Sequence, residues 1–383
     1  MMKSICFVTN KYPNQVEPSV LVFLQQLVWS IADMGIKCIV ISPIPTNIYP
    51  KYKILPNHTV EKTEHGNMID VYWPRYTGFG DEHKILGWSP ARITAYFFTR
   101  AVQTAIKTNR IDFDAIYAHF LEPAGVAAAR IGRQLQKPSY VAFGEATYTT
   151  MNCFGIDRLR EEYKNVSGII AVSTQNKEML LYKNIVPESK IGVFPNGYRP
   201  ERFFPRDKIE SRKKFNLPLD KFIVAFVGSF DNRKGINRLE TAVDKIDDVY
   251  MICAGKGELI PHSNKCLWDK PVDNEDLPWF YSAADVFVLP TLHEGCCNAI
   301  VEAMACGLPI ISSNRRFNDD ILCSNCSIRI NPESVEDIVK AIMQMKTDRD
   351  KYELLKEGSI NKRKGLELAT RAQNIYEFMR RKR

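Results

Sequence analysis

Residues 284–311 read ADVFVLPTLHEGCCNAIVEAMACGLPII, and the fold prediction starts from this stretch. The apolar run Val286–Leu289 is typical of a buried strand. A helix is predicted over Ala299–Cys306 and is expected to end at Gly307, because glycine tolerates the left-handed conformation that follows many helices. A further strand begins at Ile310, so the stretch predicts a strand, a loop, a helix and a second, parallel strand.

The same alternation of short β-rich runs with longer helical patterns extends along the whole chain, and the helical patterns include Val20–Met34 and Ala124–Leu135. Such alternation is typical of parallel βαβ units in doubly wound sheets. The predicted strands fall into two series, which are Ile5–Val8, Cys38–Ser42, Ala115–Ala118, Ser139–Phe143 and Gly168–Ala171, and then Ile223–Gly228, Tyr250–Ala254, Val286–Leu289 and Ile310–Ser312. The sequence therefore predicts an α/β protein of two Rossmann-like domains that face each other across a cleft.

A turn signal at Pro195-Asn196-Gly197 separates the two series and marks the expected domain boundary. We predict one domain over residues 1–196 and another over residues 197–368. The last helix, residues 369–383, reads as basic and amphipathic, and we expect it to cross back to the first domain. The segment Lys51–Trp88 carries several prolines, glycines and aromatic residues, and is predicted to be irregular and poor in strands.

Composition and charge exclude several classes of function. No apolar run approaches the ~18 residues that a transmembrane helix requires. Ten cysteines without an export signal indicate reduced thiols and a cytoplasmic protein. The formal net charge of +8 favours anionic lipid headgroups or a phosphate-bearing substrate. Nucleic acid is not an expected partner, because no basic stripe alternates with aromatic residues.

The loop before the helix at Ala299–Cys306 is predicted to bind an anion. The N–H groups of about Gly295 to Asn298 lack helical partners, and the helix dipole strengthens their attraction for negative charge. Glu294 precedes this site, and Glu302 lies eight residues later, a little over two helical turns. Two acidic acceptors beside an anion site suit a nucleotide sugar, which has hydroxyl groups on both sides of a diphosphate. The alternative is that both glutamates are solvated charges on helix faces.

With these features in place, the sequence resembles the family-4 retaining glycosyltransferases of the GT-B fold (glycosyl transferases group 1), of the bacterial surface-polysaccharide type. The resemblance rests on Glu294-Gly295 followed by Glu302-Ala303-Met304-Ala305-Cys306-Gly307-Leu308-Pro309-Ile310-Ile311. Further matches are Phe226-Val227-Gly228-Ser229-Phe230 with Arg233-Lys234-Gly235, then Ala283-Ala284-Asp285-Val286-Phe287, and Pro195-Asn196-Gly197. The resemblance covers essentially the whole second half of the chain and, more loosely, the first half. It implies that residues 197–368 bind the donor and residues 1–196 the acceptor.

The resemblance implies a role for individual donor-site residues. Arg233 and Lys234 would neutralise the departing diphosphate, and Glu294 would accept hydrogen bonds from the donor sugar, so these three are the implied catalytic residues. Glu302 would hold the ribose hydroxyls. The other implied donor-binding residues are Gly228, Ser229, Val272 beside the base, Gly295, Cys296, Cys297 and Asn298. The two cations replace a metal ion, so we expect neither a cofactor nor a metal.

The first half departs from the family pattern where the acceptor is expected. The loop Tyr12–Ser19 lacks the family's glycines, and Phe143-Gly144-Glu145 stands where the family has His-Gly. His119 and Glu145 are the acceptor-side candidates. Their structural alternatives are a histidine satisfied at a strand end and a helix cap. In retaining members of the family the departing phosphate itself takes the acceptor proton, so the resemblance requires no protein base.

These implications define a retaining, metal-independent hexosyltransferase. It would move a sugar from a nucleoside-diphosphate sugar to a hydroxyl of a glycan or lipid-linked acceptor, in capsular, exo- or lipopolysaccharide biosynthesis. The alternatives are a nucleotide-sugar epimerase of the same architecture and a non-catalytic partner subunit. We expect the protein in the cytoplasm, and the aromatic and basic region Lys51–Arg110 is a candidate for peripheral contact with an anionic membrane. The alternative, which accounts for most of these aromatic residues, is a buried core.

Overall fold

The computed structural model describes residues 2–79 and 89–382. The chain divides into two units. The first comprises Met1–Phe194 together with Leu368–Arg383, and the second comprises Pro195–Glu367. The chain therefore leaves the first unit and returns to it with its last helix.

The first unit is built on one large, mainly parallel sheet. Its strands are β1 (Ser4–Thr9), β2 (Lys37–Ile41), β3 (Ile44–Pro45), β4 (His58–Lys62), β5 (Met68–Tyr72), β6 (Arg75–Tyr76), β7 (Ala115–His119), β8 (Ser139–Phe143), β9 (Gly168–Ala171) and β10 (Ile191–Val193). Eight of them form a sheet in the order β10-β9-β8-β7-β1-β2-β5-β4, and β3 pairs separately with β6. Every residue of β7 and β8 is buried, as expected for parallel strands that are covered on both faces.

Helices cover the two faces of this sheet. They are α1 (Val22–Asp33), α2 (Ala91–Thr108), α3 (Val126–Leu135), α4 (Thr149–Phe154), α5 (Ile156–Tyr163), α6 (Thr174–Tyr182) and, in chain order, α13 (Leu368–Arg381). One hydrophobic core contains Leu24 and Leu27 of α1, Ile375 and Met379 of α13, and Phe7 of β1. Because the first and last helices share this core, the C-terminal helix is an integral part of the first unit.

The prediction of an irregular, strand-poor segment at Lys51–Trp88 is wrong for the part that the structure describes. β4 and β5 lie within it, pair as an antiparallel hairpin, and join the large sheet through the pairing of β5 with β2. In β5, Ile69 and Val71 are buried, whereas Met68 is exposed and Asp70 and Tyr72 are half-buried. This alternation is typical of a half-buried strand. The prediction gave the surrounding prolines and glycines more weight than this alternation. Residues 80–88 of the segment lie outside the described residues.

The second unit has a smaller, entirely parallel sheet. Its strands are β11 (Phe222–Val227), β12 (Val249–Ala254), β13 (Cys266–Trp268), β14 (Val286–Leu289), β15 (Ile310–Ser313) and β16 (Ser327–Ile330), in the order β13-β12-β11-β14-β15-β16. Its helices are α7 (Lys208–Lys214), α8 (Ile236–Asp244), α9 (Leu277–Ser282), α10 (Asn298–Ala305), α11 (Val335–Thr347) and α12 (Arg349–Arg363). The predicted α/β class with two Rossmann-like halves is confirmed.

Two features of the chain bear on membranes. Within residues 2–79 and 89–382, no helix has both the length and the apolar composition needed to cross a bilayer. The formal charge is divided unequally between the units. The first unit has 26 basic and 17 acidic residues, a net charge of +9, whereas the second has 26 basic and 27 acidic residues, a net charge of −1. The excess positive charge of the chain therefore belongs to the first unit.

Candidate active site

The stretch at 284–311 forms a strand, a loop and a helix in the second unit. β14 ends at Leu289 and α10 begins at Asn298, with the loop between them. α10 ends just before Gly307, whose φ of +82° is a conformation that glycine adopts without strain. The loop brings Glu294 to the N-terminal end of α10.

Glu294 lies against two cations and a hydroxyl group. Its Oε1 is 2.6 Å from Lys234 Nζ and 2.9 Å from Arg233 Nη1, and it accepts a hydrogen bond of 2.9 Å from Thr291 Oγ1. The side chains of Glu294 and Lys234 are only 10% and 12% exposed, so bulk water screens this ion pair little. The structure thus brings together the three residues that the resemblance implies for catalysis.

The loop after β11 takes its shape from Asp231. Asp231 Oδ1 accepts a hydrogen bond of 2.7 Å from Lys234 N, and Oδ2 accepts one of 2.5 Å from Ser229 Oγ. Aspartate commonly stabilises turns in this way. Gly235 ends the loop with a φ of +80°, and a Cβ there would lie 2.6 Å from Pro290 O. Glycine therefore lets this loop approach the end of β14.

Lys234 is held in its charged form. Its side chain passes over Gly228, where an added Cβ would come within 3.4 Å of Lys234 Cδ, and its Nζ lies 3.9 Å from Cys297 Sγ. Burial opposes the charge of the ammonium, but the adjoining Cys297 sulfur and Glu294 carboxylate more than offset this, so the pKa of Lys234 is raised above its ordinary value. A cation fixed in this way can stabilise a developing phosphate charge.

Asn196 holds the loop in front of α10. Its backbone N–H lies 3.3 Å from Cys296 Sγ, and its side-chain amide donates to Cys296 O at 3.1 Å and to Asn298 Oδ1 at 2.7 Å. Asn196 is 9% exposed, so these hydrogen bonds are shielded from solvent. A residue that the sequence marked only as part of a turn therefore positions two of the candidate donor-binding residues.

Glu302, on α10, contacts the end of α9. Tyr281 Oη donates a hydrogen bond of 2.9 Å to Glu302 Oε2. Burial raises the pKa of Glu302 to about 7, and the Tyr281 hydrogen bond and the positive charge of Arg202 counteract this only in part. The carboxyl group therefore titrates near neutral pH, and in its ionised form it can accept hydrogen bonds from hydroxyl groups.

Val272 lies between β13 and α9 and packs against the core of the second unit. The guanidinium of Arg202 donates to Asn274 O in the same segment. Arg202 also acts electrostatically on Glu302. Arg202 therefore interacts both with the segment around Val272, which is predicted to meet the base, and with Glu302, which is predicted to hold the ribose.

The acceptor-side candidate His119 is the last residue of β7 and is 3% exposed. Its ring lies against those of Phe23 and Phe120, with centroids 5.4 and 4.6 Å away. Burial lowers the pKa of His119 to about 3, and the charge of Arg371 adds to the effect, so the imidazole is neutral. Its Nδ1 has no hydrogen-bond partner in the described part of the chain.

The acceptor-side candidate Glu145 follows β8. Its Oε1 accepts a hydrogen bond of 2.9 Å from Leu121 N, and its Oε2 accepts one of 3.0 Å from Gly144 N. Burial raises the pKa of Glu145 to about 7, and the hydrogen bonds lower it in part. The following helix, α4, begins at Thr149 without a side-chain cap, so Glu145 does not cap it. Its carboxyl group instead holds the loop that follows β7.

The second unit therefore offers a distinct chemical arrangement. Two cations and the N-terminal end of a helix attract negative charge, and two acidic side chains, Glu294 before α10 and Glu302 within it, can accept hydrogen bonds. This arrangement suits a diphosphate with hydroxyl-bearing groups at both ends.

Comparison with known proteins finds a family that the second unit resembles. Residues 207–364 match the sequence profile of the family described as "Glycosyl transferases group 1". The chain is a glycosyltransferase of the GT-B type, and its residues 207–364 are similar to the group 1 family. The matched residues include every second-unit candidate from Gly228 to Glu302.

The names of two relatives of this glycosyltransferase refer to teichuronic acid and to a lipid-linked sugar. This chain is 26% identical over 356 residues, covering 88% of each chain, to a protein of Bacillus subtilis (strain 168) named as the teichuronic acid biosynthesis glycosyltransferase TuaC. It is 27% identical over 213 residues to the Escherichia coli UDP-Gal:alpha-D-GlcNAc-diphosphoundecaprenol alpha-1,3-galactosyltransferase, a match that covers 49% of this chain and 53% of the other.

Solved structures establish the fold of the glycosyltransferase. Sucrose-phosphate synthase from Thermosynechococcus elongatus superposes with a TM-score of 0.74 at 18% identity, over 99% of this chain and 98% of that one. Anabaena HepE in complex with UDP-glucose superposes with a TM-score of 0.72 at 16% identity, over 99% of both chains. At these identities the likeness shows the fold alone, and that fold is GT-B.

Four polar residues that were not predicted as site residues from the sequence hold the site of the glycosyltransferase, namely Asp231, Thr291, Asn196 and Tyr281. A signal was available for Asp231, since an aspartate in the loop that follows a strand commonly shapes a turn. None was available for Tyr281, which lies 21 residues before the carboxyl group that it contacts and reaches it only through the fold.

Proposed function

We propose that this glycosyltransferase transfers a sugar from a nucleoside-diphosphate sugar to a hydroxyl group with retention of anomeric configuration and without a metal ion. The observation that carries the proposal is the convergence of Arg233 and Lys234 on Glu294 beside the N-terminal end of α10. A nucleotide-sugar donor is further supported by the UDP-galactose in the name of the E. coli relative and by the UDP-glucose bound to Anabaena HepE.

The proposed chemistry uses these charges directly. As the bond between the anomeric carbon and the diphosphate breaks, negative charge grows on the phosphate oxygens, where Arg233 and Lys234 stabilise it. The acceptor oxygen bonds to the anomeric carbon on the same face, and its proton passes to the departing phosphate oxygen. Glu294 holds hydroxyl groups of the donor sugar, and Glu302 holds those of the ribose. Two fixed cations supply the charge that a metal ion would otherwise supply.

We assign the acceptor to the first unit, with His119 and Glu145 as candidate residues on that side. The acceptor class that we propose is a glycan or a lipid-linked saccharide of a capsular, exo- or lipopolysaccharide pathway. The names of the B. subtilis and E. coli relatives support this class. The net charge of +9 on the first unit supports peripheral contact with the anionic inner face of a membrane, where lipid-linked acceptors are found.

The proposal is tested by transfer assays with purified protein, a panel of nucleoside-diphosphate sugars and a polyprenyl-diphosphate-linked sugar as acceptor. We expect a new glycosidic bond whose anomeric configuration, read by NMR, equals that of the donor. Excess EDTA should leave the rate unchanged. An inverted product would contradict retention, and a rate that EDTA removes and magnesium restores would contradict metal independence.

The two alternatives give different outcomes in the same assay. An epimerase would isomerise the donor sugar when the acceptor is omitted. A non-catalytic subunit would leave every donor intact with every acceptor. The presence of Arg233, Lys234, Glu294 and Glu302 together in one unit favours catalysis over a purely structural role.

A further inference from the structure

A cavity in the first unit is not yet accounted for by the proposed function. Its volume is about 160 Å³, and its described lining includes Lys11, Tyr12, Ile44, Ile48, Tyr49 and Trp73. These residues follow the carboxyl ends of β1, β2 and β5. Parallel α/β sheets commonly bind ligands at this edge, so the cavity is placed to receive one.

The polar side chains of the cavity wall are largely engaged with the protein itself. The Asn10 amide donates at 2.9 Å to a backbone carbonyl of residues 122–124 and accepts at 3.1 Å from an N–H of the same loop. Asn14 Oδ1 accepts two backbone hydrogen bonds within its own turn, at 2.9 and 3.0 Å. The Glu17 carboxylate accepts from Tyr52 Oη. A sugar needs a partner for each hydroxyl group that it buries, so this wall favours an apolar occupant.

Lys11 is the exception among these polar side chains. Its ammonium lies 5.9 Å from the centre of the Tyr49 ring, and its charge helps to lower the pKa of Glu17 on the same wall, although no salt bridge joins the two side chains in the described structure. Lys11 is exposed, so its charge is available at the edge of the cavity. An exposed ammonium beside an apolar wall suits a ligand that carries an anionic group next to an apolar one.

The cavity wall continues onto an exposed apolar edge. Ile48 and Tyr49 line the cavity and are 39% and 42% exposed, and Ile54 beyond them is 71% exposed. Lys51 and Lys53 lie between these apolar side chains and are exposed as well. Apolar side chains interleaved with lysines match an amphiphile whose apolar chain is joined to a phosphate.

The size of the cavity sets the length of chain that it can enclose. An apolar cavity of about 150 Å³ accommodates one benzene molecule. A cavity of about 160 Å³ therefore holds an apolar group of similar size, roughly one isoprene unit. The remainder of a longer chain would lie along the exposed edge at Ile48 and Tyr49.

We propose that this cavity binds the phosphate-proximal apolar end of a lipid phosphate, with Lys11 facing the phosphate. The proposal rests on the proposed function in one respect, because the lipid phosphate would be the carrier of the acceptor sugar. The net charge of +9 on the first unit favours the approach of such an anion.

Calorimetric titration of the full-length protein, without a donor, tests this proposal with geranyl phosphate as the probe. Inorganic phosphate and uncharged geraniol are the comparison ligands. We expect geranyl phosphate to bind at least about tenfold more tightly than either, because the cavity removes its apolar chain from water and the phosphate pairs with Lys11. Equal binding of inorganic phosphate would overturn the apolar part of the proposal, and equal binding of geraniol would overturn the role of the phosphate.

Matched variants locate the binding site. Ile48→Asp should weaken geranyl phosphate by at least about tenfold, since it places a carboxylate on the apolar wall, whereas Val60→Asp at an exposed position of β4 should leave binding unchanged. Lys11→Ala should remove the preference for geranyl phosphate over geraniol, and Lys107→Ala should not. If Ile48→Asp and Val60→Asp bound the probe equally well, the cavity would not be the site.

Donor binding provides the control for folding and for the proposed function. Each variant should keep the thermal stabilisation that a nucleotide sugar gives to the unaltered protein. If a variant loses probe binding but keeps donor stabilisation, the loss therefore results from the altered cavity and not from misfolding. A protein that bound geranyl phosphate but no nucleotide sugar would contradict the proposed function and leave the cavity proposal standing.

Discussion

The Lys234 ammonium lies 2.6 Å from Glu294 Oε1, and the Arg233 guanidinium shares the same oxygen at 2.9 Å. One carboxylate oxygen thus pairs with both cations that we assign to the departing diphosphate. Under the proposed function, a bound diphosphate would compete with Glu294 for these cations. Once they turned to the diphosphate, the Glu294 carboxylate would accept hydrogen bonds from the donor sugar.

This competition predicts opposite effects of Glu294→Gln on binding and on catalysis. Removal of the competing charge should tighten binding of the free nucleoside diphosphate by about fivefold, the equivalent of ~1 kcal/mol of charge interaction. Transfer should slow by at least ~100-fold, because the sugar loses a charged acceptor in the transition state. Calorimetric titration and initial rates measure the two effects. Glu336→Gln, at an exposed ion pair of α11, is the matched control. Weaker binding of the nucleoside diphosphate to Glu294→Gln would contradict the competition.

Glu302 should make donor affinity depend on pH. Burial raises its pKa to about 7, and ribose hydroxyl groups donate to the ionised form, so a bound donor favours loss of the proton. Affinity should therefore be constant above pH 7 and fall below it, by at most about tenfold per pH unit. In Glu302→Gln the profile should be flat between pH 6 and 8. A wild-type affinity that rises on acidification would rule out this role of Glu302.

Asn196 should act on donor binding through the loop that it holds. Asn196→Ala removes hydrogen bonds to Cys296 O and Asn298 Oδ1, each of about 0.5–1.5 kcal/mol, so nucleotide affinity should fall by about tenfold. Asn196→Asp should have a similar effect, since a carboxylate cannot donate these hydrogen bonds. Asn237→Ala, at an exposed position of α8, is the control. Wild-type nucleotide affinity in both Asn196 variants would show that the loop does not depend on this residue.

Glu145 should contribute to the stability of the first unit. Glu145→Ala leaves the N–H groups of Leu121 and Gly144 without their carboxyl partner, at a cost of about 1–3 kcal/mol each in the free energy of unfolding. Urea denaturation measures this cost, and Glu161→Ala on the exposed side of α5 provides the comparison. Donor binding should be unaffected. If Glu145→Ala unfolded like the wild type and yet lost transfer activity, Glu145 would act on the acceptor directly.

The parts of the fold that could be predicted are those with strong local patterns. Val286–Leu289 is buried on both faces in a parallel sheet, so it is apolar throughout and easily recognised. β5 has only one well-buried face, and the prolines and glycines around it outweigh its short alternating pattern. β13 and β16 are not predicted because they are short strands at the edges of the sheet, and all of β13 and the two middle residues of β16 are only half-buried.

Some residues of the candidate site could likewise be predicted from the sequence, and others could not. Arg233, Lys234 and Glu294 stand in recognisable strings next to strand ends, and a parallel sheet brings strand ends together at one edge. Thr291 and Tyr281 contribute single hydrogen bonds across the fold, and no spacing in the sequence reports such contacts. The cavity beside Lys11 depends on three separate strand ends, so it also required the structure.

Thermal-shift measurement against a panel of nucleoside-diphosphate sugars tests the central claim most directly, with wild type and Lys234→Met measured side by side and Lys213→Ala as the control. We predict that at least one nucleotide sugar stabilises the wild type and the control, by ~2.7 kcal/mol at 100 times its dissociation constant. Lys234→Met should lose most of this stabilisation, because it keeps the length of the side chain but not its charge. A panel in which no nucleotide sugar stabilises the wild type, or in which Lys234→Met responds as strongly, would contradict a donor site at Lys234 and Glu294.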